Sequence, residues 1–212
     1  MNLAAFRKEY TLAGLRRRDL AENPIAQFQE WFQQAIKAEV PEPTAMSLAT
    51  VDQSRQPSLR TVLLKAVDER GFVFCTNYES QKGRELAENS NAALLFFWKE
   101  LERQVSIRGL TRKVSAEESD AYFKVRPVGS QLGAWVSKQS CVVENRGMLE
   151  AKYDEMEKKY SSQQIPLPPN WGGYVVAPVT IEFWQGGVNR LHDRFRYTKQ
   201  ADGLWKIERL SP

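Results

Sequence analysis

The sequence predicts an α+β fold that is mainly β: an antiparallel β-barrel decorated with helices. Three observations lead there. Short apolar segments of period two outnumber helical ones and are joined mostly by hairpin-like turns. The chain has 212 residues, of which 42% are hydrophobic and 26% charged, an ordinary globular balance that supports one large core or two small ones. No repeat, low-complexity tract or GxGxxG or GxxxxGK[ST] loop interrupts it, so any phosphate must be held by side chains and strand-end amides.

Residues 1–22 carry Arg7, Lys8, Arg16, Arg17 and Arg18 with little apolar periodicity. They read as a flexible arm or short helix ahead of a single domain over 23–212. Asn23-Pro24 opens a helix, with Asn as cap and Pro at the first helical position. Ile25, Phe28, Phe32, Ala35 and Ile36 share one face, and Pro41 and Pro43 close it. From Ala45 the period becomes two. One strand runs to Val51, a second over 58–67 and a third over 72–76, with turns at 52–57 and 68–71, which together read as an antiparallel meander.

Ser80 caps a short helix through Asn89, and 92–98 and 103–114 are two more strands. Ser115 and Glu118 form a capping box for a helix that reaches about Val125 and ends at Arg126-Pro127. Residues 144–160 form a longer charged helix, and 165–169 a proline-rich loop. The stretches 174–178, 180–185 and 190–199 are strand-like, and Asp202-Gly203 signals a hairpin into a last strand over 205–210.

Composition excludes several chemistries. Lys+Arg number 30 against 26 Asp+Glu, a net charge of +4 that suits phosphate ligands as well as nucleic acid. The one histidine, His192, removes every His-rich zinc site, and Cys75 and Cys141 form no CxxC pair, so no metal is expected. Two separated thiols suit a reducing compartment. The first residues lack a secretory apolar region, and the longest apolar run, 92–98, is too short to span a bilayer. A cytoplasmic protein without a membrane partner is expected.

Four constellations can carry chemistry. In Arg60-Thr61-Val62-Leu63-Leu64-Lys65 the two cations differ in parity, so they serve opposite faces or opposite ends of a strand and can hold two different phosphates; alone, the run also reads as an edge strand with solvated charges. Tyr122 and Arg126, at i and i+4 on one helix face, and Ser130 in the following turn suit a phosphate monoester, or an ordinary exposed helix end. If 190–194 are extended, Arg190, His192 and Arg194 point to one side, and Leu191, Asp193 and Phe195 to the other. Two arginines flanking the histidine call for an anionic ligand. Residues 129–140 are small and polar with one Trp, and either line a site or form a plain loop and helical turn.

The run FWQGGVNRLHDRF (183–195) resembles the C-terminal signature of pyridoxine/pyridoxamine 5′-phosphate oxidases. GSQLGAWVSKQS (129–140), RTVLLK (60–65), the N-terminal RKEY (7–10) and GLRRRDL (14–20), and WKIERL (205–210) match that family in the same order over nearly the whole chain. The resemblance implies an FMN-binding split barrel acting as a homodimer, with FMN at the subunit interface. It places FMN contacts on Arg60, Thr61, Val62, Leu63, Leu64, Lys65, Cys75, Thr76, Lys82, Gln104, Gln139, Ser140, Trp184 and Arg194. Gln81 stands where the family often has Arg, which leaves one fewer cation on the FMN phosphate; Cys75 stands where a Tyr is sometimes found.

The same resemblance places the substrate phosphate on Lys65, Tyr122, Arg126 and Ser130, and the substrate ring beside Arg190, Leu191 and His192, with Arg190 and His192 as the catalytic pair. Arg7 and Tyr10 belong to an arm that covers the site in the family. The implied reaction oxidises pyridoxine or pyridoxamine 5′-phosphate to pyridoxal 5′-phosphate, with O2 reoxidising the flavin to give H2O2. The competing readings are a split-barrel flavin reductase, a pyridoxal phosphate carrier and a basic nucleic-acid module. The last is disfavoured because the basic residues do not interleave with aromatics on one strand pair.

Overall fold

A computed structural model of the chain describes residues 1, 3, 9–12 and 14–212. Among these, nine strands form one antiparallel sheet and five α-helices pack around it. The first helix, α1 (Pro24–Lys37), begins as the cap signal predicts, with the Asn23 side chain accepting from the Ile25 N–H. Its buried face is Ile25, Phe28, Trp31 and Ala35; Ile36, expected on that face, is exposed, because Trp31 occupies the row one turn before Ala35. Phe28 meets Phe72 and Phe96 at 4.9 and 5.0 Å between ring centroids, which fastens α1 onto the barrel.

The strands β1 (Ala45–Val51), β2 (Pro57–Leu63), β3 (Ala66–Asp68) and β4 (Gly71–Asn77) are two hairpins and not the expected meander, since β2 pairs only with β1 and β3 only with β4. The strand expected over 58–67 bends at Leu64 and Lys65. The Leu64 N–H donates to Thr44 O, while the Lys65 N–H donates to Val73 O, so the chain changes hydrogen-bonding partner between adjacent residues. After α2 (Gln81–Glu88) come β5 (Asn91–Trp98) and β6 (Arg103–Lys113), then three helices, α3 (Ala116–Lys124), α4 (Val128–Val136) and α5 (Arg146–Lys159). Most of the stretch 129–140 is thus helical.

The long strand β7 (Trp171–Gln185) replaces the two short strands expected at 174–178 and 180–185. Pro178, which has no N–H to give a ladder, sits at a bulge where the register shifts between Arg108 and Gly109, so the strand continues through it. Gly109 is required there: a Cβ would lie 2.1 Å from Ala177 O. β8 (Asp193–Lys199) and β9 (Trp205–Leu210) complete the sheet. The segment expected to be extended from Arg190 is a short 3-10 turn over Val188–Arg190, and β8 starts only at Asp193.

The sheet order is β2-β1-β5-β6-β7-β4-β3, with β8 on β7 and β9 on β8. The sheet curls, because β2 and β4, five places apart in that order, line the same cleft. The result is an open, split antiparallel barrel. Its interior is filled by Phe28, Phe72, Phe74, Phe96, Trp98 and Phe183, among others, and a second cluster of Phe123, Leu132, Val136, Met156, Ile165 and Trp171 binds α3–α5 to the start of β7. No helix of the described residues is long and apolar enough to cross a membrane.

Candidate active site

The cleft encloses about 870 Å³, within the range of small-molecule and cofactor sites. β2 supplies Arg60, Thr61, Val62 and Leu63, and the bend after it Lys65. β4 supplies Cys75 and Thr76, α2 supplies Lys82, and the helical layer contributes Tyr122, Arg126, Ser130 and Gln139. Arg60 and Lys65, of opposite parity on an ideal strand, reach one cleft because the bend at Leu64 and Lys65 resets the alternation. Arg126 lies two residues past the end of α3 and Ser130 inside the first turn of α4, so the column of Tyr122, Arg126 and Ser130 is assembled by a helix–helix corner, not by one helix face.

The cations fall into two groupings. In the first, Arg60 pairs with the Glu85 carboxylate at 3.1 Å, and buried Lys82 donates to Gln139 Oε1 at 3.0 Å and to Thr76 Oγ1 at 3.3 Å. Burial pushes the Lys82 amine down, and Arg60 pushes it further in the same direction. Among the described residues its hydrogen-bond partners are all neutral, so this ammonium lacks a direct counter-charge. Burial pushes the Glu85 carboxyl up, but hydrogen bonds from Ser58, Thr50, Gln81 and Arg60 outweigh it and bring it down to about 2.

In the second grouping the Lys65 ammonium lies 5.7 Å from the Tyr122 ring centroid, and the Arg126 guanidinium 4.6 Å from that of Trp171. Trp171 stacks on Tyr122 at 6.1 Å with 9° between planes. Arg126 Nη1 is buried with no hydrogen-bond partner among the described residues, and burial lowers its pKa. A partly buried guanidinium with an unused donor beside a lysine calls for an anion. Cys75 lies between them; burial pushes its thiol up to about 11 against the pull of Lys65 and Arg126, so it is neutral at pH 7 and not a nucleophile.

The remaining expected site residues lie elsewhere. Leu64 is a core residue. The Gln81 side chain donates to Glu85 Oε1 at 2.8 Å, and Ser140 follows Gln139 in left-handed backbone, φ 70°. Gln104, Trp184 and Arg194 line a separate cavity of about 250 Å³, where Arg194 pairs with Glu182 at 2.7 Å. Leu191 and His192 line another, of about 460 Å³, with Asp193 and Arg209. Arg190 is exposed in the turn at φ 61° and does not share a strand face with His192 and Arg194.

His192 is held from two sides. The Gly187 N–H donates to its Nδ1 at 3.2 Å, and its ring lies 4.7 Å from Trp184 and 5.8 Å from Tyr10. Tyr10 is brought there by a carboxylate: the N–H groups of Thr11 and Leu12 donate to Glu102 at 2.9 and 3.2 Å. Farther on, the Leu15 N–H donates to Asp193, which also pairs with Arg209 at 2.5 Å. Gly186 permits this approach, since a Cβ there would lie 2.7 Å from the Tyr10 ring. Arg7 lies outside the described residues.

Sequence reasoning missed Trp171, Glu85 and Glu102. The first could have been flagged as an aromatic that opens a strand after the proline-rich loop. The second sits four residues after Gln81 on α2, on the same helix side. Nothing local marks Glu102, whose partners are about ninety residues away.

Comparison with known proteins fits this geometry. Residues 32–160 match the family profile described as pyridoxamine 5′-phosphate oxidase, and residues 171–212 match that of the pyridoxine 5′-phosphate oxidase C-terminal dimerisation region, which supports a homodimer. The pyridoxine/pyridoxamine 5′-phosphate oxidase of Rippkaea orientalis is 56% identical over the full length of both chains. The protein of the same name from Nostoc punctiforme is 57% identical over 99% of this chain and 98% of its own. Among solved structures, PhzG from Burkholderia lata in complex with tetrahydrophenazine-1-carboxylic acid is 33% identical, covers 92% of this chain and 95% of its own, and superposes with a TM-score of 0.88. A pyridoxamine 5′-phosphate oxidase-related, FMN-binding protein from Nostoc punctiforme, 16% identical, shares the fold with a TM-score of 0.72, over 91% of this chain and all of its own. With both profiles matched in order and full-length relatives above half identity, the chain belongs to the pyridoxine/pyridoxamine 5′-phosphate oxidase family of flavin-dependent oxidoreductases.

Proposed function

We propose that this protein oxidises pyridoxine 5′-phosphate and pyridoxamine 5′-phosphate to pyridoxal 5′-phosphate at a site built from two copies of the chain, a step of vitamin B6 synthesis and salvage. The observation that carries the reading is the pair of cationic groupings in one cleft, Arg60 with Lys82 and Lys65 with Arg126, which match two phosphates on two different molecules. The buried Lys82 ammonium and the unused Arg126 Nη1 both fit an anionic partner, and the cleft is large enough for a flavin mononucleotide.

On this reading Arg60 and Lys82 hold the FMN phosphate, with Thr61, Val62, Leu63, Thr76, Gln139 and Ser140 along the cofactor. Lys65, Tyr122, Arg126 and Ser130 hold the substrate phosphate. Gln104, Trp184 and Arg194, and Leu191 and His192 with the neighbouring Arg190, line or adjoin cavities separate from the cleft of their own chain, and on this reading they complete the cleft of the other copy. The exposed apolar side chains Leu59 and Leu63 on β2, Leu95 and Phe97 on β5 and Leu110 on β6 give the two copies a face to bury.

FMN held by Arg60 and Lys82 would supply the electron acceptor for a two-electron oxidation at the substrate C4′, with O2 as the final oxidant. The alcohol consumes one O2 and yields aldehyde and H2O2; the amine also consumes one water and releases ammonia. The protein's part is positioning. The phosphate anchor would fix the ring, Arg190 would hold it in place, and His192, with Nδ1 occupied by Gly187, would offer Nε2–H to the substituent at C4′. Tyr10 closes over Trp184 and His192 and keeps water out.

The test follows peroxide from flavin-loaded protein supplied with pyridoxine 5′-phosphate, pyridoxine and a tetrahydrophenazine carboxylic acid in turn. The phosphorylated substrate should be preferred by about 100-fold in kcat/KM, the expected worth of charge-assisted phosphate contacts. Absence of peroxide from pyridoxine 5′-phosphate ends the reading, and turnover of the phenazine alone would transfer the site to the chemistry suggested by PhzG.

A further inference from the structure

One acidic side chain behind the cleft has no role in the reaction proposed above. Glu85 is 6% exposed, stands on α2 and does not line the cleft. Its sign is wrong for anion binding, since it subtracts charge where Arg60 and Lys82 add it. Its hydrogen bonds say what it does instead. Oε2 accepts from Ser58 Oγ at 2.6 Å, from Arg60 Nη2 at 3.1 Å and from Thr50 Oγ1; Oε1 accepts from Gln81 Nε2 at 2.8 Å.

The same two hydroxyls accept from the guanidinium, Ser58 Oγ from Arg60 Nη2 at 2.6 Å and Thr50 Oγ1 from Arg60 Nη1. A hydroxyl has one proton. With an ionised carboxylate on one side, that proton must point to Glu85, and the lone pairs are left for Arg60. The carboxylate therefore holds the guanidinium directly and also orders both hydroxyls to receive it. Thr50 is fully buried, so this arrangement has no water to substitute for a missing partner.

We infer that Glu85 is a positioning residue: it fixes the Arg60 guanidinium in the cleft wall, with both η nitrogens held by protein acceptors, so that its charge stays beside the anionic group held there, which on the function proposed above is the phosphate of FMN. Its benefit to binding runs through Arg60 alone, and it exceeds the electrostatic cost of a carboxylate near a phosphate.

The test is a double-mutant cycle read by FMN titration of the purified apo-dimer, with flavin fluorescence as the signal. Glu85→Ala should raise the FMN Kd about tenfold when Arg60 is present and less than about twofold in an Arg60→Ala background. Ser58→Ala removes one bridging hydroxyl on the half-exposed strand, gives a smaller effect with the same dependence on Arg60, and serves if Glu85→Ala does not fold. An equal loss in both backgrounds means Glu85 acts only on the fold, and an unchanged or lower Kd means its charge outweighs its positioning; either overturns the inference. Failure of the parent protein to bind FMN in the same titration would instead sink the reading of the cleft itself.

Discussion

The cleft and the turn at 186–192 both carry charged side chains assigned to one ligand site by the proposed function, but they hold them in opposite ways. In the cleft the cations stand on β2, α2 and the α3–α4 corner, backed by Glu85, by Gln139 and by the aromatic face of Trp171. In the turn, Asn189 and Arg190 adopt left-handed backbone, Arg190 and Leu191 are exposed, and the order of His192 comes from Gly187, Trp184 and the remote Tyr10. On the proposed function, anion holding is thus assigned to the rigid core, and ring orientation to parts that other segments must position.

The largest effects should come from breaking each region separately. Arg126→Ala is expected to lower kcat/KM by about 100-fold, mainly through KM, because it removes the proposed charged contact to the substrate phosphate. Arg190→Ala should lower kcat far more than FMN content. Wild-type kcat/KM in that variant would remove Arg190 from the site. If the two regions meet only across a dimer, co-refolding equal amounts of the two variants restores about a quarter of wild-type activity at substrate well below KM, where each alone is nearly inactive, since half the dimers are mixed and each has one intact site. Recovery of no activity would place both regions in one chain's site.

Stability should separate them next. Trp171→Ala removes a ring shared by Tyr122, Phe123 and Arg126 and should cost about 3 kcal/mol, whereas Leu191→Ala, at a residue 70% exposed, should stay within about 0.5 kcal/mol in the same chemical denaturation. A smaller effect is expected from Glu102→Gln. It weakens the hold on the Thr11 and Leu12 amides and should raise KM about threefold while leaving FMN affinity alone, as steady-state kinetics beside a flavin titration would show.

The smallest is in pH. The Glu85 carboxyl is lowered from 4.5 to about 2 in the folded protein, so the unfolded chain binds the extra proton first. Its stabilisation is complete above about pH 4.5 and fades as pH falls toward 2, and thermal melts across that window should fall more steeply for the parent than for Glu85→Ala.

Much of the fold was legible because its signals are local. Asn23, Ser80 and Ser115 each cap the helix that their sequence context announces, and the Asp202-Gly203 turn joins β8 to β9. What the periodicity could not show is where a strand changes partner. Alternation continues through Leu64 and Lys65 although the ladder does not, and Pro178 looks like a strand end although a bulge absorbs it. The candidate site was legible as residue types, with Tyr122, Arg126 and Ser130 brought together as expected, but not as geometry. The alternation of Arg190, His192 and Arg194 assumed an extended backbone that the left-handed Asn189 and Arg190 forbid. Glu102 was invisible because its role depends on residues ninety positions away.

The bend at Leu64 and Lys65 also sets an order of assembly. The strands β2 and β4 that wall the cleft are separated by seven residues of chain, 64–70, so bringing them together closes only a short loop, and closure entropy rises with the logarithm of loop length. The contact of Arg209 with Leu15 O spans 194 residues, the kind of pairing that slows folding. A nascent chain can therefore join the strand walls of its cleft from neighbouring hairpins, whereas the contact that ties Leu15 to the last strand waits until that strand has left the ribosome.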